Sequence, residues 1–188
     1  MALRIALTGS PGIGKTTLLQ KVVVSLGGCV GGVLARDMRF KDRRIGFELL
    51  DLSTGAVGIL ADNAGSGTKL GKYRVHPEEL DRIGAQAIEN AMNADLIVVD
   101  EIGPMELSSC RFVNAVEKAI ASEKNMLVVL HEWSNHRLAK KIRGTFQIIT
   151  VSRENRDVLA CELCLVLGGK KGKVSKMHND FDQNFDNN

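Results

Sequence analysis

Gly9-Ser10-Pro11-Gly12-Ile13-Gly14-Lys15-Thr16 decides how this chain is read. It fits GxxxxGK[ST] at every fixed position. It also joins the apolar run Arg4-Ile5-Ala6-Leu7-Thr8 to a segment where Leu18, Leu19, Val22, Val23 and Leu26 recur at helical spacing. A glycine-rich turn between a strand and a helix has a specific use. Without Cβ atoms the backbone curls so that successive N–H groups point inward, forming a concave seat for phosphate oxygens. A helix beginning at Lys15 adds the positive end of its dipole. In such a seat Lys15 reaches the β- and γ-phosphates, and the Thr16 hydroxyl ligates Mg²⁺. Gly9, Ser10, Pro11, Gly12, Ile13, Gly14, Lys15, Thr16 and Thr17 are therefore the candidate phosphate-binding residues. The plainer reading is a glycine-rich turn with a solvated lysine.

Working outward, short apolar runs alternate with helical periodicity. Gly27-Gly28 stops the first helix, and Cys29 to Ala35 reads as a buried strand. Between 36 and 75 the rhythm breaks. Ile45 to Leu52 partly alternates, Ser53-Thr54-Gly55 turns, and Ala56 to Leu60 returns, which predicts a hairpin, with Gly65-Ser66-Gly67-Thr68 as a mobile loop. Pro77 then opens a helix carrying Leu80, Ile83, Ala87, Ile88 and Ala91. Asp95 to Asp100 predicts a strand, Phe112 to Ile120 a helix, Met126 to Leu130 a strand, Ser134 to Arg143 a polar helix and Phe146 to Val151 a strand. A last helix starts near Ser152 as N-cap. Strands and helices in this order imply right-handed crossovers. The expected class is α/β: a three-layer P-loop fold, its central sheet mostly parallel with helices on both faces, and a β-hairpin insertion. Residues 1–167 are expected to form this domain, and 168–188 a disordered polar tail with anion binding or partner docking as the alternative.

Composition excludes several classes. Of 188 residues 44% are apolar and the net charge is +3, which argues against a wholly disordered chain. The longest aliphatic runs, such as Met126 to Leu130, fall far short of the ~18 residues a membrane helix needs. The run Ile5-Ala6-Leu7 stops at Thr8-Gly9, too short for a secretory signal, and four cysteines are too few for a disulfide scaffold. A reducing, cytoplasmic setting is the expectation. A nearly neutral body and scattered aromatics give little support for nucleic acid as an obligate partner. A monomer or weak oligomer is expected.

Asp100-Glu101 closes an aliphatic strand, at the sheet edge where ligands of open α/β sheets bind. Asp100 can hold Mg²⁺, directly or through water, opposite Thr16. Glu101, one residue on, is placed to orient and deprotonate an attacking water, so Glu101 and Lys15 are the candidate catalytic residues. The plainer reading is a charged pair ending a strand.

Together, Gly9 to Thr17, the run Val98-Val99-Asp100-Glu101-Ile102-Gly103-Pro104-Met105-Glu106, the stretch Arg39 to Phe47 and Glu154-Asn155-Arg156 resemble the THEP1-type nucleoside triphosphatases, over residues 2 to about 166. The P-loop alone is widely shared. The Asp-Glu-Ile-Gly-x-Met-Glu run with Arg43-Arg44-Ile45-Gly46-Phe47 upstream is far more specific. The resemblance implies Mg²⁺-dependent hydrolysis of nucleoside triphosphates to diphosphate and phosphate, with several bases accepted. Pro104, His131 and Arg36-Asp37 depart from the family pattern, which has a basic residue, a small hydroxyl residue and two acids there.

Arg39, Arg43, Arg44 and Arg156 are further candidates for charge at the γ-phosphate, with Arg39 and Arg44 first because they lie in the shared stretch. Pairing with surface acids is the alternative for each. His131 either faces the γ-phosphate or caps a strand end. Cys161-Glu162-Leu163-Cys164 has CxxC spacing without a second ligand pair, which favours helix packing over metal or redox chemistry. Two rival functions remain open. Gly-x-Pro-Gly-x-Gly-Lys also resembles the start of a nucleoside monophosphate kinase, although Glu101 and the lack of an arginine-rich lid argue against a small-molecule kinase. An RNA-associated nucleotide switch is the other, and no Asn-Lys-x-Asp base reader is present.

Overall fold

The computed structural model describes residues 2–27 and 29–168. The strands are β1 (Arg4–Thr8), β2 (Val30–Phe40), β3 (Arg43–Asp51), β4 (Val57–Asp62), β5 (Thr68–Leu70), β6 (Tyr73–Val75), β7 (Leu96–Ile102), β8 (Asn125–Leu130) and β9 (Gln147–Thr150). The main helices are α1 (Lys15–Leu26), α2 (77–93), α3 (Cys110–Ala121), α4 (Arg137–Thr145) and α5 (Arg156–Leu167). Within α2 a π-helical stretch, Leu80–Ala85, separates the opening turn at Pro77 from the α-helical residues Gln86–Asn90.

Among the described residues these strands form one sheet, ordered β5-β6-β4-β3-β2-β7-β8-β1-β9. The β2–β7, β7–β8, β8–β1 and β1–β9 pairs are parallel. The β2–β3, β3–β4, β4–β6 and β6–β5 pairs are antiparallel. The sheet is therefore half antiparallel rather than mostly parallel. Tight turns make that half, since neighbouring strands joined by a few residues need no crossover helix.

Burial follows the two-residue period of a strand. Along β7, Ile97 and Val99 join the core beneath α2, α3 and α4, whereas Leu96 and Val98 join the core beneath α1 and α5. Helices thus cover both faces of the parallel half. No helix of the described residues is long and apolar enough to cross a membrane.

Several boundaries differ from the sequence reading. β2 runs on to Phe40 and turns into β3 through Lys41 and Asp42, both with positive φ (46° and 61°). This hairpin was not expected, because its turn contains neither glycine nor asparagine. The expected β3–β4 hairpin is present and pairs Leu50 with Val57. Thr68 begins strand β5 rather than ending a loop, and β5 pairs with β6 across a turn at Gly71 (φ 61°). The last helix starts at Arg156, not near Ser152; the Asn155 side chain instead accepts from the Ser152 N–H at 2.8 Å. The expectation for the tail falls on residues 169–188, outside the described residues.

Candidate active site

β8 lies between β1 and β7. The carboxyl ends of three adjacent strands therefore carry the P-loop, His131 and the Asp100-Glu101 pair side by side. They open onto one cavity of about 1090 Å³, lined by Gly9, Pro11, Gly12, Gly14, Lys15, Thr16, Thr17, Asp100 and Glu101, and also by Arg39, Arg44 and His131. Ser10 and Ile13 face a shallower hollow of about 360 Å³ on the other side of the loop.

The P-loop has the curled backbone that its glycines permit: φ is 135° at Gly9, 76° at Gly12 and 102° at Gly14. At Gly9 a second constraint applies, because a Cβ there would meet the Val151 carbonyl oxygen at 2.7 Å. Lys15 is buried, and its ammonium donates to the Gly9 carbonyl at 2.7 Å and the Ser10 carbonyl at 3.2 Å. It closes on its own loop through neutral acceptors.

Asp100 is 1% exposed. Among the described residues no donor completes a hydrogen bond to either of its oxygens. Burial pushes its pKa up to about 7; the nearby Thr16 hydroxyl and the Lys15 ammonium pull it down, while Glu101 raises it. A buried acid whose hydrogen bonds are incomplete is costly unless a cation or proton answers it. A divalent cation shared with the Thr16 hydroxyl fits this orphaned carboxylate. Glu101 follows through a cis peptide bond. Burial also raises its pKa, opposed by Lys15 and His131.

Glu106, on the turn after β7, is a second buried acid beside the half-buried Glu101, and the sequence reading quoted it without assigning a role. Its carboxylate accepts from the Gly103 N–H at 3.1 Å. Burial, with Glu101 and Asp100 adding repulsion, pushes its pKa up to about 8. The signal was its place five residues after Glu101; what that spacing does depends on a turn, in which the Leu107 N–H donates to the Gly103 carbonyl.

The arginines separate. Arg44 donates to Asp37 at 2.7 Å while its guanidinium lies 5.2 Å from the Phe47 ring centroid, and Arg39 reaches the same carboxylate at 3.2 Å. Asp37 thus holds two guanidinium groups in the cavity wall. Arg156 lies against the P-loop, 3.5 Å from the Ile13 carbonyl, Arg43 is exposed at the hairpin, and neither of the two lines a cavity. The His131 Nδ1 accepts from the Trp133 N–H at 3.3 Å, and His131 lines the cavity. Cys161 and Cys164 are free, the first exposed and the second half-buried against the core under α5.

The match to known proteins covers this whole unit. The sequence model of the family described as NTPase matches residues 4–164. The chain belongs to that family. It is 49% identical to the nucleoside-triphosphatase THEP1 of Methanosarcina acetivorans over 161 residues, covering 84% of this chain and 92% of the relative. It is 44% identical to the protein of that name from Thermococcus kodakarensis, covering 84% and 89%. In structure it is similar to THEP1 from the hyperthermophile Aquifex aeolicus (TM-score 0.79, 30% identity, 88% of this chain and 99% of the other). It is also similar to a human cancer-related nucleoside triphosphatase (TM-score 0.72, 28% identity, 88% and 97%). As a member of this NTPase family the chain is an enzyme of the hydrolase class.

Proposed function

We propose that the chain hydrolyses nucleoside triphosphates to diphosphate and phosphate with Mg²⁺, with little selection of the base. The buried Asp100 beside the Thr16 hydroxyl, its oxygens without a completed hydrogen bond, carries this reading. Residues 9–17 seat the phosphate chain through their amides, and Lys15 trades the carbonyls of its own loop for phosphate oxygens. Thr16 and Asp100 hold the metal. When bound, the metal neutralises charge on the β- and γ-phosphates. Glu101 takes the proton of a water aligned with the γ-phosphorus, and Arg39 and Arg44 stabilise the charge that departs. Broad base use fits a sequence with no Asn-Lys-x-Asp base reader.

Phosphate release from ATP, GTP, CTP and UTP, with and without Mg²⁺ or a chelator, tests this reading. Metal-dependent release from at least three of the four is the expected result. Release from one base only would refute the breadth, and release that persists in chelator would refute the assigned metal. Strong stimulation by added RNA would favour a nucleotide-dependent switch.

A further inference from the structure

Lys15, Thr16, Asp100 and Glu101 each have a part in hydrolysis. Glu106 lines the same cavity and has none. Burying a carboxyl group is unfavourable, and this one is only 5% exposed, so its bonds show where that loss is offset. Its Oε2 accepts from the Gly103 N–H at 3.1 Å, a donor that is itself shut off from water. The turn is closed further by the Leu107 N–H, which donates to the Gly103 carbonyl at 3.0 Å, and by the Ser108 hydroxyl, which donates to the Met105 carbonyl at 2.6 Å. Gly103 is thus held at both its N–H and its carbonyl by the turn that carries Glu106.

Glu101 is the side chain with most to gain from such a hold. Its carboxylate makes no hydrogen bond among the described residues, and Lys15 and His131 act on it only through their charge. Its direction is therefore set by the backbone beneath it and by the atoms that flank it. Gly103, two residues on, supplies both. A Cβ there would meet Glu101 Oε1 at 2.9 Å and Glu106 Oε2 at 3.2 Å, so both carboxyl groups close on the same bare Cα. Burial pushes the Glu106 pKa up to about 8, so near neutral pH it bears a proton and adds no second charge beside Glu101.

We propose that Glu106 is a positioning residue for hydrolysis: by holding the Gly103 N–H it fixes the turn that aims the Glu101 carboxylate at the attacking water. The inference rests on the hydrolytic reading above, in which Glu101 takes the proton of that water. Glu106 acts through Glu101 and touches neither substrate nor metal. Without its oxygen the Gly103 N–H is left buried and unanswered, and a donor in that state turns toward another partner. The backbone beneath Glu101 turns with it. A misplacement of about 1 Å is enough to cost on the order of 100-fold in rate.

The test compares variants of the full chain. Glu106→Met fills the same space without an acceptor, Glu106→Gln keeps an oxygen for the Gly103 N–H, and Glu101→Gln removes the base. Phosphate release gives kcat and KM, and calorimetry with a non-hydrolysable ATP analogue counts the sites that bind nucleotide, so that kcat is taken per folded site. Glu106→Met is expected to lower kcat at least about tenfold with KM for ATP kept within about twofold, and Glu106→Gln to recover most of that loss. In the Glu101→Gln background Glu106→Met is expected to change kcat by less than about twofold, because residues that act as a unit are not additive. A merely structural role would lower the double variant further. Should Glu106→Met bind no nucleotide, Glu106→Asp, whose shorter side chain retreats from the Gly103 N–H, takes its place. Wild-type kcat in Glu106→Met, a change in KM instead of kcat, an equal loss in Glu106→Gln, or a further loss of about tenfold in the double variant each overturns the proposal. Wild-type turnover in Glu101→Gln removes the assigned base and both readings with it, whereas an inactive Glu101→Gln beside an unaffected Glu106→Met overturns this proposal alone.

Discussion

The Lys15 ammonium stands 2.7 Å from the Gly9 carbonyl oxygen, so the P-loop lysine is bonded to the first residue of its own loop. That contact and the one to Ser10 are to neutral oxygens, whereas bonds to ionised acceptors are roughly twice as strong. A triphosphate therefore draws the ammonium away without leaving a buried donor unanswered at any stage. Lys15→Ala is expected to weaken nucleotide binding on the order of 100-fold in calorimetry. Affinity kept within a few fold would remove Lys15 from the phosphate site.

Glu101 differs from Lys15 in what its loss should do. In the proposed mechanism its side chain takes a proton rather than holding the phosphate chain, and such a group typically contributes ~10²–10⁴-fold to rate. Glu101→Gln is expected to bind nucleotide as the wild type does while phosphate release falls at least 100-fold. Unchanged turnover would mean that another group activates the water.

Gly103 decides whether Glu101 and Glu106 fit together. A Cβ there would come within 2.9 Å of Glu101 Oε1 and 3.2 Å of Glu106 Oε2. Gly103→Ala should therefore displace the Glu101 carboxylate and lower kcat about tenfold, with KM for ATP little changed. A variant with wild-type kcat would show that Glu101 tolerates the shift.

Stability should depend on pH through Asp100 and Glu106. Both carboxyls have pKa values above those of the unfolded chain, about 7 and about 8. Between about pH 4 and 8 the folded state holds more protons than the unfolded one, so stability falls as pH rises across that range. Asp62, Glu79 and Glu89 have lowered values, and their contributions are lost only at acid pH, as it falls through their folded pKa values. Glu106→Gln keeps the neutral shape and cannot ionise. In chelator its melting temperature should exceed the wild type's by only a little near pH 5.5 and by several degrees more near pH 8.5. An equal difference at both pH values would show that Glu106 ionisation does not bear on stability.

Much of the site was legible because its residues are close in sequence. The P-loop is one turn, and Asp100-Glu101 is one strand end, so local pattern specified both. Asp37 was noted only as a departure from the family pattern, since its role depends on Arg39 and Arg44 approaching across a hairpin whose turn, Lys41-Asp42, bears only the weak signal of one aspartate. Glu106 went unassigned for a related reason: burial is a property of the packed molecule.

By itself the chain's order of residues determined the alternation of strands and helices, the glycine positions that let a loop curl around phosphate, and the acids at the end of β7. These follow from short-range sterics and from apolar spacing that repeats every two or about four residues. Tertiary structure alone decided that β8 lies between β1 and β7, that half the sheet is antiparallel, and that Arg39 and Arg44 line the same cavity as the P-loop. Those features join segments more than a hundred residues apart. Which strands become neighbours is settled by how the two cores close, and no local pattern records it.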